Sequence, residues 1–317
     1  MINTNLLLIT HIADEDGITP VILAKLVYKK VDTILINPGE VDNTLKENIN
    51  KYDLIHVTDL SISDSLAKEI EDNEKYRSKV KIFDHHATAL PLNKYSFAKV
   101  IVETETQKES ATSIYYNYLL TVSNNSILHK KVTKQLVNAV RIVDTYDFKT
   151  QSDKAALNMD YLFSILGRET YIKYFTNYLK HHQTFKYTKR EKFLIKLQKD
   201  KIDSYIKRKE KELILGKIDN HKVGIIFAES NKSLLGNYLL NNHNIDFIIL
   251  IDASGKISYR GKGLYDLSKF AEKHNGGGHK DASGSPIEQK VQEKFITELF
   301  SEIKLTKEEQ KWKKNII

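Results

Sequence analysis

Five short apolar runs set the architecture of the first half of the chain: "LLLIT" (6–10), "TILIN" (33–37), "LIHVT" (54–58), "KVKIF" (79–83) and "KVIVE" (99–103). They alternate with helix-length patterns, and that alternation is the mark of a parallel sheet in an α/β fold. The runs are continuous rather than alternating apolar and polar, as expected of strands covered on both faces. Between them lie helix candidates "PVILAKLVYK", with Pro20 at the first helical position, "SATSIYYNYLL" and "KKVTKQLVNAVRIVDTYD".

The charged stretch 188–216 carries apolar residues at helical spacing (Leu194, Leu197, Ile202, Tyr205 and Ile206) and predicts a long connecting helix. A second α/β unit follows, with strands "KVGIIFA", "DFIILID" and "KISYR", helices "KSLLGNYLL" and "LYDLSKFAEKH", and the glycine loop "NGGGHKDASG". The fold expected is α/β, an N-terminal parallel-sheet domain and a smaller C-terminal α/β domain joined by a long helical linker. The expected boundaries are 1–185, 186–216 and 217–303, with a tail over 304–317. A length of 317 residues is enough for two cores.

Other bulk features narrow the function. No apolar run approaches membrane length, and the N-terminus "MINTNLLLIT" lacks a basic leader, so a cytoplasmic protein with no membrane partner is expected. The formal charge of +8 favours anionic partners such as nucleic acid or phosphate esters, although a Lys- and Asn-rich composition also follows from AT-rich coding. Cysteine is absent, so any metal must be held by imidazole and carboxylate.

Those ligand types gather after the strands. His11, Asp14 and Asp16 follow the first run, Asp59 the third, and Asp84, His85 and His86 the fourth, while Asp144 closes the helix "QLVNAVRIV". Open α/β sheets place their sites at the carboxyl ends of strands, where these pieces could converge. Each has a plainer reading: the Asp-rich turn could cap the helix near Pro20, and a lone Asp after a strand is usually a cap. As a set without cations, Asp14, Asp16, Asp59, Asp84 and Asp144 would repel one another and be driven to protonate, which two divalent ions would relieve. In the second unit, Gly276, Gly277 and Gly278 before His279 could expose amides to an anion, or form a flexible turn. Arg260 could fork a phosphate or simply lie on the surface. His56 reads as a strand residue, and His181 and His182 as a surface pair.

The ordered series "HIADEDG", "VTDLSIS", "FDHHATAL", "VDTYD" and "NGGGHKDASG" resembles the DHH phosphoesterase superfamily over residues ~5–290. Within it, "DHHATAL", "SATSIYYNYL", "YIKRKEKEL", "AESNKSLLGNYL" and "DLSKFAEKHNGGGHKDASG" look like the nano-RNase B type of oligoribonuclease. The resemblance implies one metal on His11, Asp14 and Asp59 and another on Asp16, Asp59, His85 and Asp144, with Asp59 bridging. The three-residue step from His11 to Asp14 departs from the spacing in some branches.

Further roles rest on the same resemblance. Asp84 would orient His85 or a metal-bound water, and His86 would face the substrate phosphate. Gly276, Gly277, Gly278, His279 and Arg260 would hold the substrate end, with the active site in the cleft between domains. The activity implied is hydrolysis of short RNA to mononucleotides by in-line attack of a metal-bound hydroxide. The ions would be manganese, with magnesium or cobalt as alternatives. Other readings are a 3′-phosphoadenosine-5′-phosphate phosphatase, a linear or cyclic dinucleotide phosphodiesterase, and a non-catalytic nucleotide- or RNA-binding module. Oligomeric state stays open, a homodimer included.

Overall fold

The structure, a computed structural model, describes residues 1–148 and 153–299. The expected tail over 304–317 lies outside the described residues. The chain divides into two compact units, 1–201 and 202–317.

In the first unit the five apolar runs become β1 (Ile2–His11), β2 (Tyr28–Ile36), β3 (Leu54–Thr58), β4 (Val80–Asp84) and β5 (Ala98–Val100). All pair in parallel, in the order β2-β1-β3-β4-β5. Leu6 through Ile9, Ile55, Val57, Val80 and Ile82 are fully buried, as continuous apolar runs require. β2 lies at one edge and stays half-buried along most of its length. Thr10 lies opposite Thr58, and Thr58 opposite Phe83. The carboxyl ends of β1, β3 and β4 are therefore level, and His11, Asp59 and Asp84 emerge side by side. The strand order reverses between β1 and β3, the kind of switch point where open sheets leave a crevice.

The helix after β1 spans Glu15–Val27, so Pro20 is an interior residue and not the first of the helix. Asp14 takes the N-cap instead, its side chain accepting from the Gly17 amide at 3.1 Å. A proline inside a helix leaves the carbonyl four residues earlier without its amide. Here that carbonyl belongs to Asp16, and the Thr112 hydroxyl donates to it at 3.0 Å. The replacement comes from the helix Ala111–Val122, whose N-cap Ser110 accepts from Ser113 N. The helix Lys131–Asp144 ends on Asp144, as expected. The helix Leu157–His181 is interrupted at Gly167, whose φ of 68° and ψ of 165° turn the chain.

His56 sits in β3, fully buried among Tyr28, Phe83, Tyr115 and Tyr118, with its Nδ1 at 2.9 Å from the Tyr115 hydroxyl. Burial, with Lys81 nearby, lowers its pKa to about 3, so it is a neutral core residue.

In the second unit the strands are β6 (Ile214–Ile218), β7 (His221–Phe227), β8 (Phe247–Asp252), β9 (Lys256–Gly261), β10 (Gly277–Gly278) and β11 (Ala282–Pro286). They form one sheet in the order β10-β11-β9-β8-β7-β6, in which only β7 and β8 pair in parallel. The charged connecting helix spans Lys189–Glu210 and stops short of 216, because Ile214–Ile218 pair with β7 as an edge strand. The helix expected over 264–274 contracts to Leu267–Glu272, capped by Asp266. Among the described residues no helix is long and apolar enough to cross a membrane.

Candidate metal centre

Four separate segments of the first unit deliver eight imidazole and carboxylate side chains to the carboxyl end of its sheet. Asp59 stands at the middle, with only 3% of its side chain exposed. Its Oδ2 lies 3.3 Å from His11 Nδ1, and its Oδ1 lies 3.4 Å from His85 Nε2. One carboxylate thus faces two clusters, one oxygen to each. The first contains His11 and Asp14, whose Oδ2 lies 3.6 Å from His11 Nδ1. The second contains His85, Asp16 and Asp144, with His85 Nε2 at 3.7 Å from Asp16 Oδ2 and 3.4 Å from Asp144 Oδ2. Asp59 holds this position with φ of 56°, a left-handed conformation that Asp tolerates better than most residues but that still costs energy.

Asp16 is gripped from outside the cluster. Its Oδ2 accepts from Ala111 N at 2.7 Å and its Oδ1 from Thr112 N at 2.9 Å, so the first turn of one helix holds the anion. Asp84 is likewise committed. Its Oδ1 accepts from the amides of His85 (2.7 Å) and His86 (3.3 Å) and from His86 Nδ1 at 2.7 Å, while its Oδ2 accepts from the Ser61 hydroxyl. Asp84 is thereby tied to the backbone of both histidines and to the ring of His86.

Titration behaviour follows from this crowding. Burial first, then the charge of Asp59, raises the Asp16 pKa to about 6 against the pull of His85 and the Thr112 amide. Burial also pushes Asp144 well above the usual carboxylate range, with Asp16 and Asp59 adding to it. Asp59 goes the other way: burial opposes its charge, but hydrogen bonds to His11 and His85 outweigh it. Burial likewise opposes charge on the imidazoles, yet Asp14 and Asp59 raise His11 to about 10 and Asp84 raises His86 to about 9. Metal-free, the site neutralises itself with protons. Divalent cations would do the same with carboxylates ionised and imidazoles neutral. The donor set, nitrogen and oxygen without sulfur, fits Mn²⁺ and related ions.

A thermal-shift titration checks this. Manganese added to chelated protein at 100-fold excess over its dissociation constant should contribute ~2.7 kcal/mol per site, about 5–10 °C in Tm for a unit of this size. The shift should shrink below pH 6. Asp16 has its folded pKa above its unfolded value, so the metal-free fold gains stability as pH falls through about 6. Protons meanwhile compete with the ion, and a Tm gain undiminished at pH 5 would overturn the assignment.

In the second unit, Arg260 lies on β9 with its guanidinium donating to Ser233 Oγ at 2.8 Å and to the Tyr259 carbonyl at 2.9 Å. The glycine run is a hairpin arm: Gly277 pairs with Gly284 and Gly278 with Ser283. The Gly276 amide donates to the Ala271 carbonyl at 2.8 Å and the His279 amide to Ala282 at 2.7 Å, so those two amides are spent within the unit. A Cβ on Gly276 would lie 2.0 Å from the Gly284 carbonyl oxygen, which explains why a side chain is excluded there.

Sequence reasoning missed the supports: Ser61, the Ala111 and Thr112 amides, the buried Glu15 and the half-buried Asp160. Burial leads in raising both acids' pKa values, with Asp160 adding to the effect on Glu15. Ser61 could have been suspected in "VTDLSIS", two residues past Asp59, but Asp160 carries no sequence signal.

A parallel sheet with imidazoles and carboxylates at its switch point, followed by a glycine-hairpin unit, is the arrangement that the resemblance to DHH phosphoesterases leads one to expect. No family model matches the chain. Oligoribonuclease NrnB of Bacillus subtilis (strain 168) is 32% identical over 298 residues, covering 90% of this chain and 74% of the relative. A 3′,5′-cyclic-nucleotide phosphodiesterase of Helicobacter pylori is 24% identical, covering 88% and 92%. Among solved structures, an exopolyphosphatase-related protein from Bacteroides fragilis shares the fold with a TM-score of 0.52 at 14% identity, covering 93% of this chain and 91% of that one. The chain belongs to the family of DHH phosphoesterases that includes oligoribonuclease NrnB.

Proposed function

We propose that the chain is a manganese-dependent phosphodiesterase that hydrolyses short RNA oligonucleotides to mononucleotides in the cytoplasm. The observation that carries this reading is Asp59, one carboxylate whose two oxygens face His11 and His85 in separate clusters. His11, Asp14 and Asp59 would hold one ion, and Asp16, Asp59, His85 and Asp144 the other. When bound, such a pair supplies an activated water at neutral pH and polarises the phosphoryl oxygens.

The chain's own residues do the rest. Asp84 holds the proton on His86 Nδ1 and aims that ring, whose side chain is 38% exposed, at an anionic phosphate. The same carboxylate grips the His85 amide and fixes its imidazole against the carboxylates. The Ala111 and Thr112 amides hold Asp16 in place, and the Thr112 bond partly offsets the burial that opposes its charge. Arg260, Gly276, Gly277, Gly278 and His279 are assigned to the substrate end. Support comes from the NrnB relative, whose name states oligoribonuclease activity.

The Helicobacter relative favours a second reading, a phosphodiesterase acting on cyclic nucleotides. One panel with Mn²⁺ separates them: RNA dimers to pentamers, cyclic mono- and dinucleotides, 3′-phosphoadenosine-5′-phosphate and pyrophosphate. The RNA dimers and trimers are expected to give the largest kcat/KM. A higher value for a cyclic nucleotide would transfer the assignment, and oligonucleotide binding without turnover would favour a non-catalytic module.

A further inference from the structure

The centre is crowded with carboxylates, and its proposed substrate is a polyanion. An approaching phosphodiester therefore needs a cation beside the ions. Arg168 is placed to be one. The break at Gly167 ends the first segment of the helix Leu157–His181, and Arg168 opens the second. It lies one turn before Tyr171, which is fully buried, with Thr19 beside it and Glu15 close by in charge. Arg168 thus stands at the end of the stripe that packs on the helix Glu15–Val27. From there its guanidinium donates one hydrogen bond, at 3.2 Å, to the carbonyl of Ile12. Ile12 separates His11 from the loop to Asp14, so the cation rests on the segment that carries the first cluster.

Two further facts distinguish Arg168 from an ordinary surface arginine. It is exposed, and among the described residues it has no carboxylate within ion-pair distance. Elsewhere in this unit Lys94 pairs with Asp64, and Arg141 with Asp147. A guanidinium has five donors in a planar fork, and one bond to a carbonyl leaves an edge that matches a phosphate. We propose that Arg168 binds a backbone phosphate of the oligonucleotide beside the metal centre. The assignment rests on the phosphodiesterase reading and adds a substrate-binding residue outside the family motifs.

The plainer role would be a strut for the Ile12 carbonyl, and a glutamine tests it, because its amide can still donate there without the charge. The measurement is binding of a hydrolysis-resistant phosphorothioate RNA trimer to the full chain, by fluorescence anisotropy over a salt series. Arg168→Gln and Arg168→Ala should each weaken binding about tenfold or more, the usual worth of a charged hydrogen bond. Each should also flatten the plot of log affinity against log salt by ~0.7, the signature of one fewer phosphate neutralised on a single strand. Arg168→Lys should keep the salt slope and recover part of the affinity. If Arg168→Gln bound like the native chain with an unchanged slope, the residue would be a strut and the proposal overturned. A native chain that bound the trimer but cleaved no RNA would sink the catalytic reading and leave the Arg168 result standing. A native chain that failed to bind it would overturn both.

Discussion

Replacing Asp59 by asparagine should lower kcat/KM for short RNA by about a thousandfold or more, since bridged metals supply several kcal/mol to the reaction and each 1.36 kcal/mol is a factor of ten. The substitution is close to isosteric, and asparagine tolerates the left-handed φ of 56° as well as aspartate does, so the backbone has no reason to move. What changes is charge and donor type. An amide presents an NH₂ group to one imidazole where a carboxylate oxygen stood, 3.3 Å from His11 Nδ1 or 3.4 Å from His85 Nε2. The bound metal should fall from two ions per chain to one or none, read by elemental analysis of the purified protein. The chelated protein should lose some Tm, because His11 and His85 lose a charged partner, and an unchanged far-UV circular dichroism spectrum separates a lost ligand from a lost fold. Activity within tenfold of the native chain would remove Asp59 from the centre.

The second large effect is expected from Gly17→Ala, at a residue with no functional group. A Cβ there would lie 2.1 Å from the carbonyl oxygen of His11 and 2.7 Å from its carbonyl carbon, far inside van der Waals distance. Neither partner is a side chain that can swing away. Gly17 also donates its amide to Asp14 and accepts from Thr10 Oγ1 at 2.6 Å, so the whole turn from His11 to Gly17 must shift. Such overpacking costs about 1–3 kcal/mol, and a displacement near 1 Å at a reacting centre can cost about a hundredfold in rate. A combined loss of Tm and of activity, with metal affinity reduced, is the expected result. Native-like kinetics would mean that the turn relaxes without moving His11.

Much of this was legible in the sequence because strand ends in a parallel sheet are predictable places. Once "LLLIT", "LIHVT" and "KVKIF" are read as buried strands, His11, Asp59 and Asp84 must appear together, and the level register of β1, β3 and β4 delivers them. The order of motifs added the ligand grouping that spacing alone left open. Less legible was anything decided by one turn of helix. Pro20 looked like a start signal, but Asp14 caps the helix earlier and the Thr112 hydroxyl supplies the bond that proline removes. That bond joins residues far apart in the chain, and no local pattern announces it. β6 was hidden for a different reason: "LIL" continues the apolar spacing of the preceding helix until Gly216 and the pairing with β7 decide otherwise. Arg168 was invisible because its position depends on a break at Gly167 and on where Ile12 falls in space.

The grip of two amides on Asp16 would bear on which ions the proposed centre could hold. A carboxylate pinned at both oxygens is unable to pivot to accommodate a larger guest. Calcium is at home with six to eight oxygens in an adaptable shell, whereas smaller divalent ions accept a tighter arrangement set in advance. With Asp16 as a ligand, as proposed, the helix beginning at Ala111 would act as a size filter, favouring small divalent ions over calcium.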